Sequence, residues 1–284
     1  MSVPPVGEPH PPTVTPMIRA ASQWLVGALL AVTLTLLLLA VNAVQLSSEG
    51  VGQRLLGRSV AVSTNIDAIL PDLQAALREE AQEGEADPVR LPDFPIPVEL
   101  SRDEALSLEG TALRERILEE AAARLYQDGM SAWAEDDPPG EQDIELISVT
   151  GALQRGLDLI TAKNHDRFVV AAAVLAFLSA VLGVALLASV RSWGRLIALS
   201  VVTIAAALPS LAAAVAVRFG FRTAQEEADP FVSGLLDLGV EAMWLPIRNY
   251  LALTVLGFTA LLLTLVFIWA ISRQPAGSVD SPAT

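Results

Sequence analysis

The chain has 284 residues, a formal net charge of −14, 52% hydrophobic residues and no cysteine. The missing cysteines exclude disulfides, thiol catalysis and Cys-ligated zinc or iron–sulfur centres, and the acidity argues against nucleic acid, whose phosphates need clustered Lys and Arg. A mean hydropathy of +0.49 is high for a soluble chain, and the apolar residues are gathered in blocks instead of recurring at core periodicity.

Residues 1–23 open with Pro4, Pro5, Pro9, Pro11, Pro12 and Pro16, too little apolar surface to offset the entropy of ordering, so a disordered cytoplasmic tail is expected. The first charge-free apolar run, 24–46, has the roughly 20 residues that a helix rising about 1.5 Å per residue needs to cross a hydrocarbon layer about 30 Å thick. It reads as an uncleaved anchor. Arg19 and the small-residue stretch Val41-Asn42-Ala43 leave a cleaved signal sequence as the alternative, and either way the segment that follows is exported.

Residues 47–167 read as one helical extracytoplasmic domain. They hold 25 acidic and 11 basic residues, so the whole net charge resides there. Leu55, Leu56, Ile66, Ile69 and Leu70 predict a helix that breaks at Pro71, with a second piece carrying Leu73, Ala76 and Leu77. Residues 84–98 contain Pro88, Pro92, Pro95 and Pro97 and predict an extended linker. Ser101 and Glu104 form a capping box ahead of Leu113, Ile117, Ala121, Leu125, Met130 and Trp133, a buried helix face with Tyr126 alongside. Arg116, Glu120 and Arg124 occupy the opposite face at i, i+4 spacing, and Gly110 is a candidate split. An acidic loop over 135–143 precedes a strand-like run at 144–149. Thr150 is then the expected N-cap of a helix through Leu153, Leu157 and Ile160 that continues into the second membrane segment.

The second span is expected at 168–190, a cytoplasmic turn at 191–195 and the third span at 196–217, kinked by Pro209. Residues 218–249 predict an extracytoplasmic helical loop, with capping signals at Thr223–Glu226 and Asp229–Pro230, that either packs on the large domain or lies among headgroups. The fourth span covers 250–271, and 272–284 form a second disordered cytoplasmic tail. Arg19, Arg191, Arg195 and Arg273 flank the proposed inner ends, and parity then puts the large insert outside a plasma membrane. Trp24, Trp193 and Trp269 belong to the inner aromatic belt, Trp244 and Tyr250 to the outer.

The chemical candidates are few. Glu135, Asp136, Asp137, Glu141, Asp143 and Glu145 are the densest carboxylates, but Pro139 breaks an EF-hand pattern and a solvated loop is the reading adopted. His10 and His165 are the two histidines, too few for a histidine metal site, and His165 reads as a surface residue. Glu79-Glu80 and Glu119-Glu120 read as helix-surface charge instead of a glycosidase pair. No ionisable residue lies within the spans, which weakens ion-coupled transport. Asn42 and Gln45 sit near the outer end of the first span. Ala172, Ala176 and Ala180, and Ala206, Ser210 and Ala214, form small-residue ladders suited to helix packing or self-association. No catalytic, cofactor-binding or metal-binding residue is assigned.

Four spans with a long first loop invite comparison with claudins and tetraspanins, but both depend on loop cysteines absent here. The layout, with Leu125-Tyr126…Gly129 in the exported domain and a helical hairpin with a basic inner turn, resembles uncharacterised bacterial four-span membrane proteins. That resemblance implies no activity. The expected protein is an all-α integral membrane protein, four transmembrane helices plus a helical extracytoplasmic domain, in contact with the bilayer and a protein partner. It is read as a non-enzymatic envelope protein for interaction or sensing. A channel or transporter subunit, with a polar path through Thr33, Asn42, Ser200 or Thr203, and a membrane-anchored enzyme are the alternatives.

Overall fold

The computed structural model describes residues 15–84, 86–132, 156, 159–190 and 193–273. The acidic 135–145 segment, Trp133, the strand expected over 144–149, Thr150, Leu153, Leu157, Arg191, Ser192 and most of both tails, with His10, lie outside them. In chain order the elements are α1 (Thr15–Leu46), α2 (Glu49–Thr64), α3 (Ile66–Glu83), β1 (Val89–Arg90), β2 (Glu99–Leu100), α4 (Arg102–Ser107), α5 (Gly110–Asp128) with a 3₁₀ turn Gly129–Ala132, α6 (Ala162–Ser189), α7 (Gly194–Gln225), α8 (Pro230–Ala242) and α9 (Trp244–Ser272). The stretches Ala21–Leu46, Ala162–Ser189, Gly194–Gln225 and Pro230–Ser272 are long and apolar enough to cross a membrane. Their outward side chains, among them Val170, Val174, Phe177, Leu262 and Leu263, are large, apolar and exposed, the surface a bilayer covers.

The spans are not packed in sequence order. α1 lies against α6 on one side and α7 on the other, and α9 packs along α7; α6 and α7, joined by a turn of a few residues, meet in few places. The expected α6–α7 hairpin is therefore parted by α1. Leu30, Leu186 and Val202 form a three-helix apolar contact at one end of the bundle. There Gln23 Nε2 donates to the Ser189 carbonyl at 2.6 Å, and Trp193 touches Phe267 with ring centroids 4.7 Å apart.

The two alanine ladders part company. Ala206 and Ala214 are buried between helices, as helix packing requires, whereas Ala176 and Ala180 face outward and α6 instead buries Ser179 and Leu186. Larger side chains on α6 interlock with α1, so its packing stripe follows Leu182 and Leu186 and not the smallest residues. Where α9 meets α7, Gly257 allows close approach: a Cβ there would lie 2.8 Å from Ile204 Cγ1 and 3.5 Å from the Ser200 carbonyl oxygen.

The 47–132 segment folds on its own core. α2 ends at Asn65, left-handed at φ 48°, after the Ser63 and Thr64 hydroxyls have donated back to the Val60 carbonyl. The helix break thus falls at Asn65, and Pro71 is carried inside α3; Asn tolerates the left-handed well that a helix-to-helix corner demands. The expected linker is a second correction. β1 and β2 pair antiparallel, Val89 with Leu100 and Arg90 with Glu99, and Val89, Leu91, Phe94, Ile96, Val98 and Leu100 are all buried in the main core beside Leu77, Leu113 and Ile117. Prolines forbid helix but not burial, and the near-alternating apolar residues between them are what the core uses. Among the described residues the fold is accordingly helical with one two-stranded ribbon.

The capping box is formed. Ser101 Oγ accepts from the Glu104 amide at 3.3 Å while a Glu104 carboxylate oxygen accepts from the Ser101 amide at 3.0 Å. Gly110, at φ 52°, marks the separation of α4 from α5. On α5, Leu113, Ile117, Ala121, Leu125 and Tyr126 are buried, and Arg116 and Arg124 both reach Glu120 at 3.5 Å.

Candidate functional site

The membrane helices and the helical unit meet at Ser47, the residue after α1, which is 1% exposed. Its hydroxyl donates to the Ala43 carbonyl at 2.7 Å, and its carbonyl accepts from the Tyr126 hydroxyl at 2.9 Å. His165, in the first turn of α6, places Nδ1 3.1 Å from Ser47 Oγ. The imidazole tautomer sets which of the two groups donates in that contact. His165 is half-buried and belongs to this junction, a correction to the surface reading, because α6 starts beside the end of α1. α6 begins afresh at Thr161, whose hydroxyl accepts from the Asn164 amide at 3.3 Å, so no helix runs unbroken into the span from Ile160.

Tyr126 is held protonated above its ordinary range, first by burial and then by the negative charges of Glu49 and Asp166. Gly52 makes room for its ring: a Cβ on Gly52 would stand 2.9 Å from Ile160 Cγ2 and 3.1 Å from the Tyr126 ring. A larger residue here would push α2 off α5.

A second contact ties in α8. Asp229 caps this helix by accepting from the Phe231 and Val232 amides, both at 2.9 Å, with Pro230 next, as expected. The expected Thr223–Glu226 box is absent. α7 continues to Gln225 and the Thr223 hydroxyl donates to Phe219 within its last turns, because the apolar face extends beyond residue 217. α8 packs on α2: Leu235 and Leu238 bury against Leu55, and Arg58 pairs with Asp237 at 3.3 Å and with Glu241. An apolar cavity of about 310 Å³ lies at this meeting point, walled by Leu46, Leu55, Ile160, Phe168, Phe221 and Leu235.

A larger groove of about 540 Å³ adjoins it between α1, α7 and α9, from Leu46, Val217 and Met243 down to Leu39 and Pro209. Asn42 and Tyr250 line it. Asn249 Nδ2 donates to Asn42 Oδ1 and Gln45 Oε1, both at 2.7 Å. That arrangement turns the Asn42 amide nitrogen away from Asn249. Asn42 is 5% exposed, and its Nδ2 lies near the Tyr250 hydroxyl without closing a hydrogen bond of ordinary geometry, leaving a buried donor unmet. Elsewhere between α7 and α9 the Arg218 guanidinium carbon stands 5.2 Å from the Trp244 ring centroid, and its Nε is buried without a partner among the described residues.

The remaining candidates stay apart. Glu119 and Glu120 answer Arg116 and Arg124 on the α5 surface. Thr33 is buried and donates to its own helix at Leu29, and Ser200 is buried near Gly257. Among the described residues no cluster of three or more metal-ligating side chains occurs. The groove's one sequence signal was the pair Asn42 and Gln45 in an otherwise apolar run; Asn249, which joins them by hydrogen bonds, had no local mark. Comparison with protein-family models, curated proteins and solved structures gave no match.

Proposed function

We propose that this multi-pass membrane protein is a non-enzymatic cell-envelope protein whose helical unit, residues 47–132, stands on the extracytoplasmic side and is presented for protein interaction or sensing. One observation carries the reading. The unit has a complete core of its own and is fastened to the spans twice, at Ser47–Tyr126–His165 and at α2–α8. A partner seated on it would therefore act on α1, α6 and α8 together. Its outer surface is carboxylate-rich, with Glu79, Glu80, Glu115 and Glu119 on α3 and α5.

The outward placement is supported by Arg19, Arg195 and Arg273, all at the bundle end where Gln23 meets Ser189 and Trp193 meets Phe267. Reporter fusions at Ser192 and after Thr284 should read cytoplasmic, and one at Glu135 should read exported. The interaction itself is tested by photo-crosslinking side chains placed at Glu79 and Glu119, with Val174 on the lipid-facing side as control, in native membranes. Discrete protein adducts from the two acidic positions and none from Val174 are expected. Adducts from Val174 alone would place the partner in the bilayer and refute this reading.

A further inference from the structure

A groove of about 320 Å³ lies open on the helical unit between α2 and α5, walled by Arg54 and Arg58 of α2 and by Glu115 and Glu119 of α5, and lined between them by the buried Gly57 and Ala122. Each wall carries one sign of charge at i, i+4 spacing, so one side is basic and the other acidic. All four charged residues are exposed. Among the described residues Arg54 and Glu115 make no ion pair, and Glu119 reaches Arg116 only at 3.7 Å. Two glycines lining the groove point the same way. A Cβ on Gly50 would meet nothing within 4 Å, and one on Gly57 would lie in ordinary contact, 3.5 Å from the Leu118 carbonyl oxygen. Glycine weakens a helix relative to alanine, yet the packing of the chain itself requires it at neither position, in contrast to Gly52 under the Tyr126 ring. They leave room for a neighbour.

We propose that this groove is the contact between two copies of the chain, joined about a two-fold axis in one membrane. Charge complementarity selects this occupant. Gly52 lies beside Tyr126 and Gly57 beside Leu118, so α2 and α5 run antiparallel, and along the groove Arg54 falls towards Glu119 and Arg58 towards Glu115. A two-fold axis along the groove lays the basic wall of each copy on the acidic wall of the other, so the same pairings form twice. A partner of a single charge sign would be repelled by one wall. The packing of the helices permits such an axis. α2 climbs alongside α8, from Leu55 at Leu238 to Val62 at Gly234, while α8 descends along α7 from Ser233 at Gln225 to Met243 near Val217. The groove therefore rises from the bilayer, and a two-fold axis along the membrane normal runs with it. The inference rests on the reading of residues 47–132 as an interaction unit and names a partner for it.

The test reads the oligomeric state of the full chain in micelles by sedimentation equilibrium. Wild type is expected to dimerise. Arg54→Glu and Glu119→Arg should each raise the dissociation constant by about a hundredfold, since each sets like charges face to face on both sides of the two-fold contact. Mixed in equal amounts, the two variants should recover a dimer of one of each, because the new carboxylate of the first then faces the new guanidinium of the second while the other pair is untouched. That recovery also shows that both variants fold. Gly50→Leu, where an added Cβ meets nothing within 4 Å of its own chain, should abolish the dimer by filling the groove. A monomeric wild type, a dimer unaffected by Arg54→Glu or by Gly50→Leu, or a mixture that stays monomeric would each overturn the proposal. A monomeric wild type that still gives foreign-protein adducts from Glu79 in native membranes would do so while leaving the interaction reading intact.

Discussion

Tyr126 carries the link between core and membrane through one hydroxyl. Tyr126→Phe keeps the ring packed against α2 but leaves the Ser47 carbonyl, at a buried site, without its donor. A loss of about 0.5–1.5 kcal/mol is expected, read from chemical denaturation in micelles. Leu125, 4% exposed one residue earlier, is core proper, and Leu125→Ala should cost about 2–5 kcal/mol. Glu119→Ala, losing only a long surface contact of 3.7 Å to Arg116, should be nearly silent. Equal small losses from the last two would mean that the α5 face is not a core. Glu104 contributes to the acid limb of stability. Its carboxylate accepts from the Ser101 amide and from Arg116, which hold it below its ordinary value near 4.5. A depressed carboxylate contributes stability that is full above that ordinary value and is lost as pH falls through the lower folded one. Thermal midpoints measured from pH 7 down to pH 3 should therefore fall less steeply in Glu104→Gln than in wild type; parallel curves would deny Glu104 this part. Asp67, lowered by its hydrogen bonds from Arg114, acts in the same direction.

At the level of elements, two contacts differ in kind. α8 is held to α2 by apolar burial at Leu55, Leu235 and Leu238 and by the exposed Arg58 pairs. Exposed pairs contribute roughly 0–1 kcal/mol, whereas a buried leucine contributes several times that. Hydrogen exchange in α8 should accelerate strongly in Leu235→Ala and hardly in Arg58→Ala; the reverse order would make the ion pairs the main fastening. α9 and α7 are held differently, by backbone approach at Gly257. Gly257→Val places branched carbons where Ile204 Cγ1 already stands within 2.8 Å of a Cβ, so the two helices must part and the thermal midpoint of the solubilised protein should drop. An unchanged midpoint would show that Ile204 can yield.

Across the whole molecule, α1 is the organising helix. It touches α6, α7 and α9 within the bundle, and its end supplies Ser47 to the helical unit. Displacing α1 therefore disturbs bundle, junction and groove at once. A cross-linkable pair engineered at Gln23 and Ser189, which already meet at 2.6 Å through side chain and carbonyl, should form readily, whereas a pair joining the middles of α6 and α7 should not. Efficient α6–α7 linkage would restore the hairpin order that the sequence suggested.

The sequence by itself determined the class of the protein. Length and hydropathy are properties of contiguous residues, and four apolar runs without charge admit little but four membrane helices. The Ser101–Glu104 box, the Asp229–Pro230 cap and the α5 core stripe were equally legible, because each is written within a few turns of one helix. Only the tertiary structure decided which spans are neighbours, since apolar helices in lipid differ in partner by shape and not by pattern. It also decided that residues 89–100 are core, that His165 closes on Ser47, and that Asn42 and Tyr250 line one groove. Those meetings join residues on separate elements, more than 100 positions apart for Ser47 and His165, and no local periodicity records a contact that depends on where another helix comes to rest.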